Sequence, residues 1–306
     1  MMKDEYKKIF WDTGLEITPD TFIQADHYLC AQHNLIRKLV NLHYYGLLPA
    51  DDTDAPSLTV NATLNGPEIA IEQLYCNGVT KDGHLIQFTN DQLRALKKQR
   101  LTITGHTSGC YVVLRVNSFK HTLVEPVENP ETPFALPVYE LDVKALANIA
   151  GNELPVLKID NSQYGLIINW NYIPPCMAVR SYEKLMEQYR SLKQVATEIV
   201  SVMNGKKSQY QQVLYPVTLL LFDLEQFSLN TPPYYLVQLL KKTVMTIDFF
   251  VKSNEWRLTD VLNMPYLHDD ISIILKSLLK SFQDIKLFIG KATVIKEKEE
   301  DFTPRI

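Results

Sequence analysis

Glycine is scarce, with 11 residues in 306. That disfavours folds in which glycine-rich loops cradle a nucleotide. Cysteine is scarcer still: Cys30, Cys76, Cys110 and Cys176 stand far apart, and no CxxC pair exists. Neither a zinc knuckle nor a thioredoxin-type site is signalled, and four scattered thiols read as reduced core residues of a cytosolic protein. Long hydrophobic runs are missing. The longest, near Leu219 to Leu224, is broken by Asp223 and falls far short of the roughly 20 residues that span a bilayer. The first residues, Met1 to Tyr6, carry no apolar stretch, so a signal peptide is not expected. No charge excess advertises nucleic acid: 31 Lys and Arg face 35 Asp and Glu, a net charge of -4. HExxH, GxSxG, the P-loop pattern and GxGxxG are all absent.

What is present is core-forming material. Hydrophobic residues make up 46% of the chain, which excludes disorder as its main state because enough apolar surface exists to offset the entropy of ordering. The length fits one large domain or two to three small ones. Aromatic residues, 16 Tyr and 12 Phe among them, lean toward β structure or extensive interfaces.

The hydrophobic period changes about two thirds of the way along. A strand-like lead, Lys8 to Trp11, precedes a helix that Asp20 can cap, with apolar positions Phe22, Tyr28, Leu29, Leu35, Ile36 and Leu39. It is expected to end near Gly46. From Ser57 to Asn171 the segments are short and turn-rich. Strands are predicted at Leu58–Leu64, Glu68–Tyr75 (where a short helix is the alternative), His84–Phe88, Leu101–Thr104, Tyr111–Asn117, Tyr139–Val143 and Glu153–Ile159, with turns at Asn77-Gly78 and Asp82-Gly83. This spacing fits a sandwich or partly open barrel better than βαβ units. The paired prolines of Ile173-Pro174-Pro175-Cys176 hold extended backbone. Beyond them the period turns helical: one helix capped by Ser181 and running to Met203, a second over Tyr210–Leu224, a third opened by Pro232-Pro233, and a fourth over Asp269–Phe288. Such helices make a bundle. The charged tail is open to two readings, a last strand at Ala292–Ile295 followed by fraying, or a small contact peptide. The run Leu219 to Phe222 is apolar all round and needs covering, either within the chain or by neighbouring copies.

Candidate chemistry is thin. Asp51-Asp52-Thr53-Asp54 resembles the start of a cation loop but lacks its mid-loop Gly and terminal Glu, and reads as an exposed turn. In His268-Asp269-Asp270 a helix-cap role outweighs metal or acid–base work. His27 and His33 read as helix-face or core-edge residues, and Cys176 as a buried small hydrophobe. Lys97-Lys98-Gln99-Arg100, Lys206-Lys207 and Lys241-Lys242 read as solvated faces. No catalytic, cofactor or metal residue is assigned, and an enzyme is not expected.

The opening residues carry a resemblance. Trp11, Gly14, Leu15, Pro19, Phe22, Gln24 and Asp26 stand where the TssK family of type VI secretion baseplate adaptors has its first motif, with Thr21 replacing a histidine and Ile23 a glutamine. Tyr45-Gly46-Leu47, the Asp82-Gly83 hairpin, Tyr172-Ile173-Pro174-Pro175-Cys176-Met177 and Pro265-Tyr266-Leu267-His268-Asp269-Asp270 resemble later family steps in the same order. The coverage runs from about residue 8 to residue 290.

The resemblance implies a mixed β and α chain: an N-terminal β-sandwich shoulder with a leading helix at 1–172, a helical neck at 173–290 that trimerises, and a short charged tail at 291–306. The C-terminal head of the family would be absent or minimal, as in a divergent, Bacteroidetes-type subclass. It further implies a non-catalytic homotrimer on the cytoplasmic face of the inner membrane. Its partners would be wedge proteins resembling TssF and TssG and a membrane complex, with no cofactor and no nucleic acid. The interface residues expected on this reading are Trp11, Leu15 and Phe22 as apolar anchors, Pro174 and Pro175 at the junction, and Leu236, Leu240 and Ile247 around a threefold axis. The alternative is a receptor-binding or baseplate protein of a phage or another contractile particle.

Overall fold

The computed structural model describes residues 7–12, 14–41, 44–50, 56–96, 98–103, 109–124, 134–203, 211–250 and 258–300. The chain divides into two units, Met1–Leu48 with Ala55–Trp170, and Pro49–Asp54 with Asn171–Ile306. The acidic turn 51–54, the prolines at 126, 130 and 133, His43, Lys97, the loop at 204–205 and Lys206-Lys207 lie outside the described residues.

In the first unit, one strand organises a five-stranded antiparallel sheet. The nine strands of the described residues are numbered in chain order from β1 (Gly46–Leu47). Strand β3 (Glu68–Val79) pairs with β1, β2 (Leu58–Asn65), β4 (Leu85–Phe88) and β5 (Arg100–Thr102). Its Ile69, Ile71, Leu74 and Cys76 are buried and so form the core face, with one irregularity where β2 shifts register between Asn61 and Ala62. The Asn77-Gly78 turn expected from sequence is instead strand. Gly78 lies opposite Leu47, and a Cβ there would stand 2.8 Å from the Gly46 carbonyl oxygen. The glycine serves a close approach of two backbones, not a reversal. Gly46 likewise begins β1 and does not end the preceding helix. Asp82-Gly83 does turn the chain between β3 and β4, with Gly83 at φ +86°.

A four-stranded antiparallel sheet in the order β7-β6-β8-β9 completes this unit. It comprises β6 (Cys110–Val124), β7 (Phe134–Lys144), β8 (Glu153–Ser162) and β9 (Gly165–Ile168). Consecutive burial of Val112, Val113 and Leu114 shows that β6 is covered on both faces. The buried carboxylate of Glu153 receives Arg115 at 2.7 Å, Lys144 at 2.6 Å and the Ala150 N–H at 2.8 Å, fastening β8 to β6 and β7. Across the two sheets β2 meets β8 and β9, and β4 meets β6. A short helix, α2 (Asn90–Ala95), follows β4 with a Thr89–Gln92 capping box.

The leading helix, α1 (Pro19–Asn41), is capped by Thr18, whose hydroxyl accepts the Thr21 N–H at 3.3 Å. Pro19 takes the first helical position, where its missing N–H costs nothing, and the cap therefore falls two residues before Asp20. No strand forms at Lys8–Trp11.

The second unit is helical: α3 (Glu183–Met203), α4 (Gln211–Gln226), α5 (Pro233–Phe250), α6 (Leu258–Asn263) and α7 (Ile271–Glu300). The Ser181 hydroxyl accepts the Ala178 N–H within the 3-10 turn Val179–Ser181 and does not cap α3. Leucine and isoleucine stripes at helical spacing, such as Leu185, Leu192 and Ile199 on α3 and Ile274, Leu278, Phe282 and Ile285 on α7, face the interior. Lys286 of α7 meets Glu198 of α3 at 2.7 Å. The strand expected at Ala292–Ile295 is helix, because α7 continues through the Lys- and Glu-rich sequence to Glu300. Such residues favour helix over sheet.

Candidate interaction surface

The polar clusters singled out in the sequence are structural. Asp270 is fully buried and its carboxylate accepts the Ser272 hydroxyl at 2.5 Å, at the start of α7. The Asp269 carbonyl accepts the Tyr172 hydroxyl at 2.7 Å, and His268 Nδ1 pairs with Tyr266 at 2.9 Å. Among the described residues no three His, Cys, Asp or Glu side chains are placed to hold a metal. Burial pushes the Cys76 thiol up to about 12 and the Cys110 thiol, beside Asp160, up to about 11, and raises Cys176 as well. These thiols stay protonated and unreactive.

The sheet side of α1 is built from polar residues. His27 Nε2 reaches the Phe119 carbonyl at 3.0 Å, and Cys30 donates to the Ser118 carbonyl at 3.6 Å. The Asn34 amide meets His84 Nδ1 at 3.0 Å, and the Ser118 hydroxyl meets the same nitrogen at 2.9 Å. Lys38 pairs with Asp82 at 2.8 Å. Burial lowers the His84 pKa, with Arg37 and Lys38 acting in the same direction and Asp82 against it. The ring is therefore neutral near pH 7, and its Nδ1 lies within hydrogen-bond distance of both neighbours. A cleft of about 340 Å³ opens beside this joint, lined by Asp26, His33, Arg37, His121 and Tyr139 among others. Gly83 lets the joint close: a Cβ there would stand 2.1 Å from the Asn34 carbonyl oxygen.

The opposite side of α1 is apolar and open. Phe22, Leu29, Ile36 and Leu39 are between 52% and 61% exposed, and Val40 more so. In the segment before the helix Phe10, Trp11, Leu15 and Ile17 are exposed as well. So many large apolar side chains in one stretch form a patch of the kind that marks interaction sites. A second, smaller stripe lies on α4, where Tyr215, Leu219 and Phe222 are exposed at helical spacing while Leu220 and Leu224 are buried.

Three of the expected anchors, Trp11, Leu15 and Phe22, are thus exposed. The other five are not. Pro174 and Pro175 are buried. Leu236, Leu240 and Ile247 have 0% exposure inside the second unit. They pack the chain's own helices and offer no surface to another copy. The sequence reading placed the apolar positions of α1 correctly but not their direction. The available signal was the polar line His27, Cys30, Asn34 and Lys38, which recurs every three to four residues.

No protein-family model matches the sequence, and no curated protein matches it. Solved structures do. A crystal structure of TssK superposes with a TM-score of 0.62 at 16% identity, over 91% of this chain and 69% of that one. A chain of the type VI secretion system TssK-TssF-TssG baseplate subcomplex, solved by cryo-electron microscopy, gives 0.58 at 14% identity, over 90% of this chain and 98% of that one. TssK from the type VI secretion system of EAEC, in complex with a nanobody, gives 0.54 at 13% identity, over 86% and 67%. The chain has a TssK-like fold. The TssK-like region takes in both units, since nine tenths of the chain is aligned. No helix among the described residues is long and apolar enough to cross a membrane.

Proposed function

We propose that this chain is a non-catalytic baseplate subunit of a type VI secretion system. It acts as a trimeric adaptor between wedge proteins of the TssF and TssG type and the membrane complex, on the cytoplasmic face of the inner membrane. The observation that carries the reading is the likeness over about nine tenths of the chain to TssK and to a chain of a TssK-TssF-TssG subcomplex. In this reading the two sheets are the β-sandwich shoulder and the five helices the neck bundle.

The exposed apolar patch supports a binding role. Trp11 and Leu15 supply aromatic and aliphatic anchors of the kind that dominate interfaces. Trimerisation would multiply such contacts by avidity. The buried Leu236, Leu240 and Ile247 serve the adaptor indirectly, by holding the helical unit together.

Affinity purification of the tagged full chain from its native cells tests this. Co-recovery of two wedge proteins of the TssF and TssG type supports the adaptor. Recovery of capsid or tail-fibre proteins would replace it with the phage-particle alternative. A chain that returns alone would overturn both.

A further inference from the structure

We infer that the cleft beside α1 is a binding site for a short linear peptide with free ends, about three or four residues long. The site does not depend on the baseplate reading, and its failure would leave that reading standing.

The cleft exists because β6 slips register. Asn117 pairs with Val138 and His121 with Pro137, so Ser118, Phe119 and Lys120 have no partner on β7. Such a bulge lifts backbone out of the ladder and re-aims it. Here the Phe119 and Ser118 carbonyls accept the side chains of His27 and Cys30 and seat α1 on the bulge. Between the helix and residues of β4, α2 and β7 a hollow of about 340 Å³ is left. That volume lies within the range of small-molecule sites.

The two ends of the hollow carry opposite charge. Its α1 wall is one helix face, at positions 26, 29, 30, 33, 34 and 37. Asp26 stands at one end, and its carboxylate has no hydrogen bond or ion pair among the described residues. Arg37 stands at the other end. Among the described residues no carboxylate pairs with its guanidinium, whose Nη1 meets the Asn34 side-chain oxygen at 3.4 Å. That contact folds the guanidinium back to the turn of His33 and Asn34. His33 also lines the cleft and offers a ring nitrogen to the same ligand group.

These charges set the length of the ligand. The stretch of helix from Asp26 to Asn34 rises about 12 Å. An extended chain advances about 3.3 Å per residue, so about three or four residues bring an amino terminus to Asp26 and a carboxyl terminus to Arg37. A lone anion would use Arg37 and His33 but leave Asp26 unanswered, and a lone cation would use Asp26 only. A zwitterion satisfies both ends, and arginine–carboxylate contacts are among the stronger hydrogen bonds.

The walls between the ends suit peptide groups. The Gln87 side-chain amide has no partner among the described residues, and Gln92 keeps its Nε2 free while its Oε1 accepts the Thr89 N–H. An apolar hollow of about 130 Å³ adjoins at Leu136, Pro137 and Tyr139 and is lined further by Phe88, Leu96 and Val138. It is of a size for one aliphatic side chain.

Isothermal titration calorimetry of the full chain with trileucine tests the site. Trileucine is expected to bind. Trileucine acetylated at its amino end, or amidated at its carboxyl end, is expected to bind about tenfold more weakly, since each loses one charge-assisted contact. Asp26→Asn should abolish the difference between free and acetylated peptide, and Arg37→Gln the difference between free and amidated peptide. Asp20→Asn, on the same helix but outside the cleft, should change neither. All three positions are exposed or half-buried, and unchanged circular dichroism spectra check the fold of each variant. A chain that does not bind trileucine overturns the assignment. So does binding that neither blocked end weakens, which would make the cleft an apolar trap. Inorganic phosphate that binds as tightly as trileucine overturns it as well, by reducing the cleft to an anion site.

Discussion

Replacing Gly83 by alanine should cost far more than replacing Gly66, although both glycines sit in hairpin turns with positive φ, +86° and +57°. A left-handed alanine costs about 1–2 kcal/mol. At Gly66 a Cβ meets nothing within 4 Å, so that conformational cost is the whole effect. At Gly83 the Cβ would stand 2.1 Å from the Asn34 carbonyl oxygen and 3.1 Å from the Lys38 nitrogen, where ordinary contact begins near 3.4 Å. These are backbone atoms of α1, so no side chain can swing away. The helix must retreat by more than 1 Å, stretching the His27–Phe119, Cys30–Ser118, Asn34–His84 and Lys38–Asp82 contacts. Four such contacts, at about 1 kcal/mol each, bound the added loss, because beyond that point α1 simply lets go. Gly83→Ala is therefore expected to destabilise by about 3–5 kcal/mol and Gly66→Ala by about 1 kcal/mol in urea unfolding at pH 7. Equal losses in the two variants would refute the idea that Gly83 clamps α1.

Other consequences follow from the two cores. Glu153→Gln leaves Arg115 and Lys144 facing a neutral group and should cost about 3 kcal/mol at pH 7. Burial raises the Glu153 carboxyl, but Lys144, the Ala150 N–H and Arg115 outweigh it and hold the pKa below its ordinary value. Its folded pKa being depressed, the stabilisation is complete above the ordinary carboxylate range and fades as pH falls through the folded value. Unfolding curves of the two forms should accordingly converge in acid; a gap constant with pH would contradict this. Leu240→Ala, at a position with no exposure, should cost about 3 kcal/mol through the cavity it leaves, with solution mass unchanged. A changed mass at unchanged thermal stability would place Leu240 on a surface between copies instead.

Much of this was legible in the sequence because it rests on local rules. Weak alternation marked β2, short turn-bounded apolar runs marked β3, β6 and β8, helical spacing marked α3, α5 and α7, and Asp82-Gly83 marked a true turn. Two of the failures share a cause: a local signal was overruled by a distant backbone or by the direction a face takes. Asn77-Gly78 looks like a turn, yet Gly78 is required by the approach of Gly46, some 30 residues away in sequence. The three short elements β1, β9 and α2 carry too few residues to show a period. The stripes of α1 and α5 look alike as sequence, but one faces solvent and the other the interior. Periodicity gives the existence of an apolar face and not its orientation. On α1 the missing information lay in the polar partners, Ser118, Phe119, Asp82 and His84, that only the fold brings beneath it.

The central claim is that this chain joins a type VI secretion baseplate as a trimer. Native mass spectrometry of the complex purified through the tagged full chain tests it most directly. The account predicts this chain in multiples of three, each contributing 35.2 kDa, together with wedge proteins of the TssF and TssG type. A single copy of the chain, or a trimer that carries no such partner, would contradict it.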